Sequence, residues 1–280
     1  MAEITASLVK QLRDATSVSM MECKKALIDA DGDIEAATKL LREKGVAVAA
    51  KRATKETNCG MIASSSSDDG TAASLVEVNC ETDFTAKNDD FKAFVQELSV
   101  KGLNVDGSLS EDEDTKGALM DIIAAIGESI VIKRNTKYQL EGNGSVTPYI
   151  HLGGKVGVLV ELSCEKAETA DNDSYKELAK DLTLHIAACS PQYLTSDEVP
   201  ADVIAAEREI YAKQVEGKPE NIIDKIVDGK LQKYYADVCF LNQPFVKEDK
   251  MSITELLDSK SKELGDTISV KKFVRYQLGA

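Results

Sequence analysis

Residues 60–98 and 144–182 overlay without a gap at a constant offset of 84. Thirteen of the 39 paired positions are identical, among them Gly60/Gly144, Leu75/Leu159, Val76/Val160, Glu77/Glu161, Cys80/Cys164, Thr85/Thr169 and Asn88/Asn172. Apolar positions also agree in kind, since Phe91 corresponds to Tyr175 and Phe94 to Leu178. One supersecondary unit is therefore built twice, and any fold for this chain must contain two like halves.

Each half reads as strand, turn, strand, loop and helix. In the first, the polar run 64–70 turns the chain between Met61-Ile62 and Leu75–Val78. In the second, Gly153-Gly154 turns it between the strands 146–152 and 156–164. Glu77 and Glu161 alternate with apolar neighbours, which predicts one solvated sheet face and one face covered by helices.

The two copies disagree at one place. After the strand, Thr82-Asp83-Phe84 in the first copy stands against Lys166-Ala167-Glu168 in the second. Taken alone, Phe84 either tucks into a local core or is offered to a partner. Since the second copy has no Asp-Phe pair, the pair belongs to function and not to the fold. A large apolar side chain on a polar loop tip needs something to bury it.

The flanks are of other kinds. Ile4, Leu8, Val9 and Leu12 have helical spacing, and Ser19 with Glu22 forms a capping-box pattern for a second helix ending before Gly32. Asp33 caps a third, and Gly45 is read as its end. Ser110 is read as the cap of a helix carrying Leu119, Ile122, Ile123 and Ile126. A strand at 130–133 leads into the second copy, and a helix near 253–264 and a strand near 267–278 close the chain. Between them, Pro200, Gly217 and Pro219 punctuate a projecting pair of helices in which Ile204, Ile210 and Tyr211 are read as facing Ile222, Ile226, Leu231 and Tyr235. The expected class is α+β: an N-terminal three-helix domain at 1–50, a linker at 51–58, and a duplicated antiparallel-sheet-plus-helices core. Its first repeat spans 59–140 and its second 141–280, with an inserted antiparallel helical hairpin at about 197–241.

Thirty-four basic against 48 acidic residues give a formal charge of −14, which argues against direct nucleic-acid binding. Six scattered cysteines without a CxxC pair, no signal-peptide pattern and no long apolar run predict a reduced, cytoplasmic protein without a membrane span. His151 and His185, the only histidines, have no partner at metal or triad spacing. No phosphate-cradling glycine loop is present, so no cofactor is expected. Cys80 lies beside Glu81 and Asp83, which disfavours a thiolate. Met20-Met21 cannot both enter one helical core stripe, so the pair is either an exposed docking element or a staple at the helix start. The residues alone leave open a protein-binding adaptor and, more weakly, a thiol enzyme at Cys80.

The run Glu77–Lys87, EVNCETDFTAK, resembles the core signature of bacterial elongation factor Ts, and Met20–Leu27, MMECKKAL, resembles that family's N-terminal domain. The resemblance covers most of the chain. It implies a ubiquitin-associated-like three-helix domain and guanine-nucleotide exchange on elongation factor Tu, in its GDP-bound and nucleotide-free forms, without enzymatic chemistry. It assigns Thr82, Asp83, Phe84 and Thr85 to a loop that disturbs the partner's magnesium and nucleotide site. It assigns Arg13, Met20 and Met21 to a docking face, and His151 and His185 to contact with another domain of the partner. Many members run on into a C-terminal helix that touches the partner. Here the sequence ends at Ala280, so the N-terminal domain and second repeat are expected to carry more of the docking. The hairpin is a candidate for homodimerisation.

Overall fold

The computed structural model describes residues 4–16, 18–52, 55–215 and 220–280. Gly217 and Pro219, read as the bend of the hairpin, lie outside the described residues. Three helices open the chain: α1 (Ala6–Thr16), α2 (Met20–Asp29) and α3 (Ile34–Arg52). They bury Val9, Leu12, Cys23, Leu27, Ala37 and Leu41 against one another. Ser19 accepts the Glu22 N–H at the start of α2, and Asp33 accepts the Ala36 N–H at the start of α3. Gly45 does not end α3. Added at Gly45, a Cβ would sit 2.6 Å from the Ala124 Cβ, so this glycine allows close helix packing instead of terminating a helix.

The first repeat follows: β1 (Cys59–Ser66), β2 (Ala72–Cys80), α4 (Asp83–Lys87), α5 (Asp89–Lys101), α6 (Glu113–Ile126) and β3 (Ile130–Gln139). The N-cap of α6 is Asp112, not Ser110, because its carboxylate takes both the N–H and the hydroxyl of Thr115. The second repeat comprises β4 (Asn143–His151), β5 (Val156–Cys164), α7 (Ala167–Asp171) and α8 (Asp173–Cys189). The hairpin helices α9 (Ala201–Lys213) and α10 (Glu220–Val238) come next. A short ribbon of β6 (Pro244–Phe245) and β7 (Glu248–Ser252), then α11 (Ile253–Leu264) and β8 (Ile268–Gln277), complete it.

The sheets run β1-β2-β3 and β4-β5-β8, all antiparallel. One face of the first packs Val76, Val78 and Ile132 under Phe91, Val95 and Leu98 of α5 and Ile123 of α6. The matching face of the second packs Val158, Val160 and Leu162 under Tyr175, Leu178 and Leu182 of α8 and Leu257 of α11. The remaining two faces meet each other through Ile62, Leu75, Val146, Leu159 and Tyr276. The layers are helix, sheet, sheet, helix.

This back-to-back packing corrects the expected solvated face. Glu77 and Glu161 are 0% and 4% exposed, between the sheets. Their charges are met there: Arg134 reaches Glu77 at 2.7 Å and Lys272 reaches Glu161 at 3.0 Å. Each cation also covers a ring of the opposite repeat, Arg134 over Tyr276 at 4.1 Å and Lys272 over Tyr138 at 4.6 Å. Backbone contacts are reciprocal too. Ile62 N–H donates to Gly154 O at 2.8 Å, and its counterpart Val146 N–H donates to Gly70 O at 2.9 Å. The duplication thus extends past the hairpin at a second offset, 138, pairing Gly127/Gly265, Arg134/Lys272 and Tyr138/Tyr276. The difference between the offsets 138 and 84 is 54 residues, the net extra length of the second repeat between its two matched stretches.

In the hairpin, Ile204 and Tyr235 pack at the base with Val199, Val238 and Cys239, and Leu231 is buried. Ile210 and Ile222, expected to face inward, remain exposed. Polar links join the arms there, with Arg208 to Asp228 at 2.8 Å and Lys230 over the Tyr211 ring.

Candidate functional site

The stretch at which the repeats differ is the first turn of α4, not an irregular loop. Thr82 has an extended backbone (φ −125°, ψ 158°) and caps the helix, its hydroxyl accepting the Thr85 N–H at 3.3 Å. Asp83 and Phe84 occupy the two positions after the cap. Thr85 turns inward and is buried, which leaves Phe84 facing out, 81% exposed. Asp83 and Lys87 form an exposed ion pair at 2.7 Å that holds the aspartate below its ordinary pKa. Such a pair adds little stability and leaves Asp83 free to exchange partners.

The base of the turn is fixed by charge-assisted hydrogen bonds. Thr82 donates its N–H to Glu128 Oε2 at 3.1 Å and its hydroxyl to Glu128 Oε1 at 2.8 Å. The neighbouring Glu81 accepts the Ser129 N–H at 2.6 Å and Arg52 at 2.7 and 3.0 Å. The Ser129 amide first, then Arg52, keep Glu81 below the usual carboxylate range. The Cys80 thiol donates to Thr82 O at 3.2 Å, and burial, then Glu128, push its pKa up to about 12. A thiol held protonated in this way is a poor nucleophile, which removes the physical basis for a thiol enzyme.

The second repeat provides the comparison. Asp266, the counterpart of Glu128, accepts the N–H groups of Glu165 and Lys166 at 3.2 and 3.0 Å. Lys166 supplies no side-chain cap to α7, and Glu168 stands in the place of Phe84. The frame is common to both repeats, whereas the capped turn with an exposed ring belongs to one. Arg52, Glu81 and Glu128 were not singled out by sequence. The signal for Glu128 was the match of Gly127-Glu128-Ser129-Ile130 to Gly265-Asp266-Thr267-Ile268 at the second offset, and that for Glu81 was its identity with Glu165 at the first; Arg52 had none.

Residues 81–280 match the family model described as "Elongation factor TS". Curated relatives of that name extend the likeness to the N-terminal helices. The protein of Nitratidesulfovibrio vulgaris (strain DP4) is 42% identical over 278 residues, covering 99% of this chain and 96% of its own. That of Nautilia profundicola is 44% identical over 291 residues, covering 100% and 94%. That of Lawsonia intracellularis is 42% identical, covering 99% of each. The chain belongs to the elongation factor Ts family. Elongation factor Ts is the nucleotide exchange factor of elongation factor Tu in translation elongation, and it is not an enzyme.

The other residues that the elongation factor Ts resemblance assigned are dispersed. Arg13 lies exposed near the end of α1, and Met20 and Met21 open α2 with both side chains exposed. His151 ends β4 with its Nδ1 2.9 Å from the Tyr149 hydroxyl. Next to it Leu152, at φ +50°, is exposed on the turn to β5. His185 is wholly buried in the core. Its Nδ1 accepts the Val246 N–H at 3.2 Å and its Nε2 lies 2.9 Å from Gln243 Oε1, so the neutral ring with the proton on Nε2 satisfies both. Among the described residues, no group of His, Cys, Asp and Glu could hold a metal ion, and no helix is long and apolar enough to cross a membrane.

Burial lowers the His185 pKa. The unfolded chain, with an ordinary histidine pKa of about 6.5, then binds the proton better than the folded one. The stabilising contribution is complete above about pH 6.5 and declines as pH falls below it. Urea midpoints at pH 7.5 and 5.5 should drop more in the wild type than in His185→Gln. Equal drops would place the pH dependence elsewhere.

Proposed function

We propose that this chain releases GDP from elongation factor Tu by inserting the first turn of α4 beside the partner's nucleotide site. Phe84 is the apolar anchor, Asp83 supplies polar contacts that compete for groups around the magnesium ion, and Thr82 and Thr85 hold the turn. The observation that carries this reading is the exposed Phe84 ring on a capped, clamped turn whose duplicate in the second repeat bears Glu168 instead.

Arg13, Met20 and Met21 form a docking face, with methionines suited to an adaptable apolar contact. His151 and the exposed turn beside it contribute a second contact. His185 acts indirectly, by supporting Val246 and the β6–β7 ribbon. The chain binds the GDP form, stabilises the nucleotide-free partner and leaves when nucleotide returns, because each ligand weakens the other by the same factor. Labelled GDP preloaded on elongation factor Tu should dissociate faster when this protein and excess unlabelled nucleotide are added. An unchanged rate would refute exchange activity and favour the adaptor.

The hairpin is the element proposed for self-association, since Ile210 and Ile222 remain exposed on its arms. Sedimentation velocity should show a dimer that grows with concentration and disappears in Ile210→Asp. A monomer at every concentration would rule the dimer out.

A further inference from the structure

We infer that Glu128 is a positioning residue for nucleotide exchange: its carboxylate, by gripping both the N–H and the hydroxyl of Thr82, aims the turn that presents Phe84. This rests on the proposed role of that turn. The hydrogen-bond arithmetic makes Glu128 specific. The Thr82 hydroxyl has one proton, which goes to Glu128 Oε1 at 2.8 Å, and that orientation leaves an oxygen lone pair for the Thr85 N–H at 3.3 Å. The clamp therefore sets the cap, and the cap sets the direction in which α4 starts. The bond is also crossed: Glu128 holds Thr82 while Glu81 holds the Ser129 amide at 2.6 Å, so the two segments fix each other.

The exposed ring adds no core contact to define its aim, although the turn reaches the core on its other side through Thr85 and Ala86. Without the clamp, part of the binding energy of Phe84 would go into ordering the turn on the partner. The second repeat separates this role from folding. Asp266 grips two backbone N–H groups in the same place, but Lys166 has no hydroxyl to connect that clamp to a cap, and α7 presents no apolar residue at the position of Phe84.

The experiment measures labelled-GDP release from elongation factor Tu against the concentration of this protein, separating the maximal rate from the half-saturating concentration. Glu128→Gln removes the charge and one acceptor while keeping size. It should lower the maximal rate about tenfold and change half-saturation less than about twofold. Asp266→Asn, the matched change in the second repeat, should leave both unchanged. Thr82→Val should reproduce the Glu128→Gln defect and Thr82→Ser should restore the rate, which provides a test even if Glu128→Gln folds poorly. The double variant Phe84→Ala with Glu128→Gln should be no slower than Phe84→Ala alone.

A wild-type maximal rate in both Glu128→Gln and Thr82→Val, with Phe84→Ala defective, would overturn the role of Glu128 alone. Equal slowing by Asp266→Asn would reduce it to a general support of the fold. A Phe84→Ala variant with the wild-type rate would overturn the role of the turn, and this inference with it.

Discussion

Replacing Phe84 with alanine should slow stimulated GDP release roughly 10- to 100-fold and leave the unfolding temperature unchanged. The second half of that expectation follows from the 81% exposure of the ring, which contributes almost nothing to the folded chain by itself. The first half follows from burial on the partner, worth about 1.5–3 kcal/mol for a phenylalanine side chain. Weakening a nucleotide from nanomolar to micromolar affinity takes about 4 kcal/mol, so the ring cannot do it unaided. Phe84→Ala should therefore retain part of the acceleration, through contacts such as the Met20-Met21 face. Stopped-flow release of labelled GDP, with thermal melting of the same preparation, provides the check. A variant with the full rate would remove Phe84 from the mechanism, and one with a lowered melting temperature would mean that the ring is also a folding residue.

Phe91→Ala and Tyr175→Ala should each destabilise the protein by about 3–5 kcal/mol, lowering its melting temperature by on the order of 10 °C. These residues hold equivalent positions in the two repeats, on α5 and α8, and both are fully buried. Phe91 fills the layer between the first sheet and its helices, and Tyr175 fills the second. Tyr175 adds a hydrogen bond from its hydroxyl to Leu162 O at 2.5 Å, so Tyr175→Phe should cost a fraction of Tyr175→Ala. Urea denaturation of the four proteins measures this directly. A loss below about 1 kcal/mol at either position would mean that its layer can collapse around the cavity.

The duplication was legible in the sequence because its most constrained residues are forced. Gly60 and Gly144 sit at φ +150° and +142°, and a Cβ at either would lie 2.2 or 2.1 Å from a carbonyl oxygen of the neighbouring strand. Asn88 and Asn172 both cap the helix that follows. The exposure of Phe84 was legible through the copy that lacks it. The burial of Glu77 was not, because a strand with alternating polar and apolar residues looks the same whether its polar face meets water or a second sheet. The neutralising Arg134 lies 57 residues away, and the covering Tyr276 in the other repeat. Glu128 was missed because the inserted hairpin changes the offset from 84 to 138, so its counterpart Asp266 fell outside the first overlay. Gly45 misled because glycine serves both helix ends and close helix contacts, and only the position of Ala124 distinguishes them.

The reciprocal bonds between the sheets have a mechanical consequence. The turn that follows His151 and Leu152 hangs from β1 through Ile62 N–H to Gly154 O, and β1 is paired to β2, the strand that ends at the base of α4. Hydrogen-bonded strands make up that path from Gly154 to Cys80, so a load applied at the turn beside His151 is carried toward the base of α4. In the proposed complex, Phe84 and the turn beside His151 would act like the two jaws of a caliper, whose spacing the nucleotide-bound partner must strain to match.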